Sequence, residues 1–161
     1  MQKVIVTGGA GFIGSHIVDK LISMGIQVTI IDDFSTGKRE NINPAAYCWE
    51  QDLSTVDIKI LTEYMKDIDV VFHLAALARV QPSIEQPIPY HDVNVSGTHN
   101  LLVAASNAGV SRFVFSSSSS VYGDAKVPTS ESNELNPISP YALHKLIGEQ
   151  YCKLFSTLYD I

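Results

Sequence analysis

Apolar positions along this chain follow two alternating rhythms. Short β-branched or aromatic runs at Val4–Val6, Val28–Ile31, Tyr47–Gln51, Asp69–Leu74 and Arg112–Phe115 read as strands. Between them Ile13, Ile17, Val18, Leu21 and Ile22 recur at helical spacing. Residues 57–66, Val93–Ala108 and Tyr141 to about Leu158 read as further helices. Gly25 and Gly109 stand where two of these helices should stop. Strands that are apolar throughout are buried on both faces. The pattern therefore predicts an α/β fold, a doubly wound parallel sheet of about five strands covered by helices on both sides. No internal repeat or linker interrupts it, so residues 1–161 are expected to form one domain.

Composition narrows the partners. The chain has 161 residues, 45% hydrophobic and 17% charged, with a net charge of -6, which suits a soluble globular domain and argues against nucleic acid or an anionic membrane. No apolar run reaches the roughly 18 residues that span a bilayer. Met1–Thr7 runs straight into a strand pattern rather than a signal peptide, so a cytoplasmic location is expected. Cys48 and Cys152 are far apart and read as free thiols. His16, His91, His99 and His144 show no ligand spacing, so no metal is expected, and His73 reads as structural.

The first chemical signal is Thr7-Gly8-Gly9-Ala10-Gly11-Phe12-Ile13-Gly14, with glycines at 8, 11 and 14 between a strand and a helix. Missing Cβ atoms let a backbone approach a pyrophosphate, whose charge the helix N-terminus favours. Asp32 follows Gly14 by 18 residues, at the end of the second strand. A carboxylate there can accept hydrogen bonds from an adenosine ribose and would repel a 2′-phosphate, which points to NAD. Asp33 competes for the same role. Together these features make the fold Rossmann-type.

The second signal is Ser139-Pro140-Tyr141-Ala142-Leu143-His144-Lys145, which sets Tyr141 and Lys145 four residues apart on one helix face. A cation beside a phenol stabilises the anionic form, so the pair can serve as a general base. The run Ser116–Ser120 could be a flexible linker. A strand before it and Val121-Tyr122-Gly123 after it make it instead the rim of a site.

In order and spacing, "TGGAGFIGSH" (7–16), "IDDFSTGKRE" (31–40), "DL" (52–53), "HLAA" (73–76), "NVSGTHNLL" (94–102), "SSSSSVYG" (116–123) and "SPYALHK" (139–145) resemble the extended short-chain dehydrogenases/reductases. Within that family the likeness is to the nucleotide-sugar epimerases of the UDP-glucose 4-epimerase type. The resemblance implies that the turn bearing Gly8, Gly11, Phe12, Ile13 and Gly14 holds NAD together with Asp32 or Asp33. Asp52 and Leu53 would flank the adenine, Leu74, Ala75 and Ala76 would line the groove, and Asn94, Ser116, Tyr141 and Lys145 would complete the cofactor contacts. Ser118, Tyr141 and Lys145 would be catalytic. Tyr141 would take the proton of the sugar 4-hydroxyl as hydride leaves C4 for NAD, Lys145 would assist it, and Ser118 would orient the hydroxyl. Arg79, Gln81 and Ser83 lie where the family approaches the sugar.

Members of the family carry a C-terminal half that grips the nucleotide sugar. Residues 1–161 are therefore expected to be an NAD-binding domain lacking it, able to bind NAD but weak or inactive as an isomerase alone. A UDP-sugar is the expected substrate. The resemblance also implies a homodimer through helices at about 92–108 and 141–158, with Leu101, Leu102, Leu146, Tyr151 and Leu154 as contact surface. A non-catalytic NAD-binding module, half of a split enzyme, a decarboxylase and a dehydratase are the alternatives. The intact Ser–Tyr–Lys set favours catalysis. Ser119 and Ser120, where a 4,6-dehydratase wants acidic residues, favour an epimerase or a decarboxylase-like relative.

Overall fold

Strand β1 (Lys3–Thr7) is the centre of a five-stranded, all-parallel sheet in the order β3-β2-β1-β4-β5. A computed structural model describes residues 2–161. The other strands are β2 (Gln27–Asp32), β3 (Tyr47–Glu50), β4 (Val70–His73) and β5 (Arg112–Phe115). Parallel neighbours need crossovers, and helices supply them. Helix α1 (Phe12–Ser23) links β1 to β2, α2 (Ile58–Tyr64) links β3 to β4, and α5 (Gly97–Ala108) leads into β5. The last helix, α6 (Pro140–Tyr159), packs against α5 and β5.

Each face of the sheet has its own apolar layer. Val18 of α1 packs with Val4, Val6, Val28 and Ile30 on one side. On the other, Leu61 of α2 and Leu101, Ala104 and Ala105 of α5 cover Ile5, Ile31 and Val71. The outer edge at β3 is blunted by a Trp49–Tyr64 stack with centroids 3.8 Å apart and by an Arg39–Glu50 ion pair of 2.6 Å. Strand β5 is the opposite edge. Among the described residues no helix is long and apolar enough to cross a membrane.

Three features differ from the sequence pattern. Residues 80–91, with no helix expected, form two short helices, α3 (Val80–Glu85) and α4 (Pro87–His91). The helix expected from Val93 begins instead with a π-helical turn, Asp92–Ser96, before α5. Leu101 and Leu102 are wholly buried, which corrects their assignment to a dimer surface: α5 lies between the sheet, α2 and α6, so both leucines are already covered. The exposed apolar side chains of α6 are Leu143, Leu154, Leu158 and Tyr159.

Candidate functional site

Sheet order reverses between β1 and β4, and in open α/β sheets ligands bind at that reversal, outside the carboxyl ends of the strands. The principal groove lies there. Every strand contributes the residues just past its end: Gly8, Gly11, Phe12, Ile13 and Gly14 after β1, Asp32 and Asp33 at β2, Gln51–Leu53 after β3, Leu74–Ala76 after β4 and Ser116 after β5. Ile31, Ser35, Thr36, Gly37 and Val93 also line it. These and Gln51 were missed by sequence reasoning. For residues 35–37 the segment "FSTG" after two aspartates was the available signal.

The glycine turn is tight. A Cβ on Gly8, whose φ is +69°, would sit 2.7 Å from the Ala75 amide nitrogen. Its apex is anchored by Asp32, which is buried: Oδ2 accepts from the Ala10 amide at 2.9 Å and Oδ1 from the Phe34 amide at 2.9 Å. Asp33 is exposed, and its Oδ1 accepts from the Ser35 amide and hydroxyl. Both aspartates border the groove. Asp32 holds the glycine turn as well. No side chain caps α1 at Gly11. Asp52 Oδ1 accepts from the amide and hydroxyl of Ser54, turning the chain so that Leu53 is buried against the core.

Tyr141 and Lys145 open α6 and are not among the groove-lining residues; Lys145 adjoins the groove at Ser116. Lys145 is 4% exposed, and its Nζ donates to the Ser116 carbonyl at 2.8 Å. Nζ also lies 4.9 Å from the Phe115 ring centroid and 6.0 Å from that of Tyr141. Burial lowers the lysine to a pKa of about 8. Ser117 donates to the Glu149 carboxylate. Ser118 heads a single 3-10 turn, Ser119–Tyr122, and its Oγ accepts from the Ser120 amide and hydroxyl at 3.2 and 2.9 Å. Its own proton remains free to donate.

Two of the expected residues lie inside the fold. Asn94 is buried and is not among the groove-lining residues: its Oδ1 accepts from the Leu77 amide at 2.8 Å and its Nδ2 donates to the Leu77 carbonyl at 2.9 Å. Ser83 is wholly buried. Its Oγ donates to the Val80 carbonyl at 2.6 Å and accepts the Tyr141 amide at 3.1 Å. Ser139 caps the same helix locally by accepting from Ala142. Ser83→Ala leaves the Tyr141 amide without its partner, and a loss of about 1–3 kcal/mol in urea unfolding is expected. Arg79 is exposed with a φ of +92° and Gln81 pairs with Glu85. Cys48 and Cys152 are free, and burial pushes Cys152 up to about 11. Among the described residues no group of three or more His, Cys, Asp or Glu could hold a metal ion.

A reversal-point groove with a glycine turn and an acid at the end of β2 defines a dinucleotide-binding protein of the doubly wound class. Residues 4–161 match the model of the NAD dependent epimerase/dehydratase family, and the chain belongs to that family. It is 40% identical over 152 residues to the UDP-glucose 4-epimerase of Lactobacillus helveticus, covering 92% of this chain and 46% of that protein. The UDP-glucose 4-epimerase of Thermotoga maritima, solved with UDP-glucose, superposes with a TM-score of 0.94 at 40% identity, covering 99% and 53%. The Thermus thermophilus enzyme, solved with NAD, gives 0.91 at 36% identity, covering 99% and 52%. The chain spans about half the length of these relatives.

Proposed function

We propose that this chain is the NAD-holding part of a UDP-sugar 4-epimerase. The observation that carries the reading is the groove itself. Its glycine turn would be filled by a single Cβ, Asp32 borders it, and it reaches Ser116, whose carbonyl accepts from Lys145. The residues present fit NAD. Gly8, Gly11 and Gly14 admit a pyrophosphate to the start of α1, Asp32 and Asp33 accept ribose hydroxyls, and Leu53 and Leu74–Ala76 supply apolar walls.

When bound, NAD supplies a hydride acceptor. Tyr141 removes the proton from the substrate hydroxyl at its phenolic oxygen, and Ser118, with its hydroxyl proton free, orients that hydroxyl. Lys145 carries its charge below pH 8 and stabilises the phenolate through space. Its bond to the Ser116 carbonyl fixes the ammonium at the groove's end. Two copies associate through the exposed apolar face of α6, Leu143, Leu154 and Leu158.

The relatives carry a further half, and positioning accounts for much of such a rate. Coupled assay of UDP-galactose conversion by this chain is expected to give a kcat more than about tenfold below that of a full-length relative measured alongside. A kcat equal to the relative's would overturn the assignment of the substrate grip to the longer proteins' second half.

A further inference from the structure

The imidazole of His73 ends β4, is 1% exposed and touches neither groove nor solvent. Both its nitrogens are bonded, Nδ1 to Thr7 Oγ1 at 2.7 Å and Nε2 to Thr98 Oγ1 at 2.8 Å. The direction of every bond in this chain follows from its far end. Thr98 Oγ1 lies 2.7 Å from the Asn94 carbonyl, which can only accept, so the single hydroxyl proton goes there. Thr98 must then accept from His73, which places the ring proton on Nε2. The ring is neutral, because burial, and after it the charge of Lys145, disfavours the imidazolium. Nδ1 is thus a bare acceptor and Thr7 donates to it. The lone pairs of Thr7 Oγ1 are left to accept the amides of Leu74 and Ala75, both at 3.2 Å; the Leu74 amide is shared with the Thr7 carbonyl, also at 3.2 Å, whereas Ala75 bonds the hydroxyl alone.

Those two residues are groove wall, and Asn94, at the other end, clamps Leu77 through both its amide and carbonyl. The wall tolerates little movement, since a Cβ on Gly8 would already overlap Ala75. We propose that Thr7, His73 and Thr98 form a one-way hydrogen-bond relay that positions the 74–77 wall against the glycine turn and thereby sets the affinity for NAD. His73 is a positioning residue, acting through Thr7 and Asn94 rather than on the ligand. The proposal rests on the NAD-binding reading above.

Valine in place of either threonine keeps the shape and removes the relay, whereas serine keeps the hydroxyl. Thr7→Val and Thr98→Val are expected to weaken NAD binding tenfold or more by isothermal titration, and Thr7→Ser and Thr98→Ser to stay within threefold of the parent. Nitrogen-15 NMR of the histidine rings, recorded without ligand, should show one ring held as the Nε2–H form from pH 5 to 8. Hydrogen exchange should show the Ala75 amide protected in the parent and in Thr7→Ser, and exposed in Thr7→Val, while the Leu74 amide keeps the Thr7 carbonyl as partner throughout. A His73 ring that is Nδ1–H or titrates in that range overturns the relay, as does NAD binding by Thr7→Val at parental affinity. A parent chain that takes up no NAD defeats the functional reading alone. The relay is then decided by the ring form and by exchange at Ala75.

Discussion

Gly14→Ala is expected to abolish measurable NAD binding and to destabilise the chain by about 3 kcal/mol. A Cβ at position 14 would overlap the Gly8 carbonyl oxygen and lie 2.8 Å from the Gly8 carbonyl carbon and 2.9 Å from Gly9 Cα. All three are backbone atoms of the turn that cradles the ligand, so no side chain can swing aside. Relief requires α1 to move away from β1, which opens the layer in which Val18 meets Val4 and Val6. Gly25→Ala is the control. It adds a Cβ where nothing lies within 4 Å, and its φ of +77° costs only about 1 kcal/mol. Calorimetric titration and urea unfolding of both variants decide the matter, and a Gly14→Ala protein that binds NAD normally would refute the geometry of the turn.

Acid is expected to weaken the fold from about pH 6.5 downward. His73 has a folded pKa of about 3 against an ordinary value of 6.5, from burial first and then the charge of Lys145. Its folded pKa is depressed, so between these values the unfolded chain holds a proton that the folded chain does not. Stability is therefore complete above pH 6.5 and falls as pH drops towards 3, by about 1.4 kcal/mol per pH unit. His144 is shifted downward by burial and by His91, and acts in the same direction. Urea unfolding is expected to show a loss of about 2 kcal/mol between pH 6.5 and 5. The slope should shrink in His73→Gln. A flat profile in the parent would mean that the ring is solvated or charged. Lys145 works on the alkaline side: held at about 8 against 10.5, it makes the fold more stable as pH climbs through that window.

The strand–helix alternation and the residues at the strand ends were legible because each rests on local signals: β-branched runs, helical spacing and turn glycines. Helices α3 and α4 were not, because Pro82, Pro87 and Pro89 fall within them. Proline is a breaker by default, yet Pro87 opens α4 and Pro82 sits in the first turn of α3, where an amide would lack an intrahelical partner anyway. Ser83 and Asn94 carried the family pattern without revealing their partners. Each bonds backbone that is distant in sequence, Tyr141 for one and Leu77 for the other. Leu101 and Leu102 misled for a different reason. A helix flanked on three sides buries more than one stripe, and adjacent leucines are then core rather than surface.

The claim that the reversal-point groove holds NAD is tested most directly by native mass spectrometry of the purified chain, before and after addition of NAD. One NAD retained or gained per chain is the predicted result, with Asp32→Asn binding it more weakly. A chain that carries no cofactor and gains no mass at saturating NAD would contradict the account, because every residue assigned to the groove is already in place.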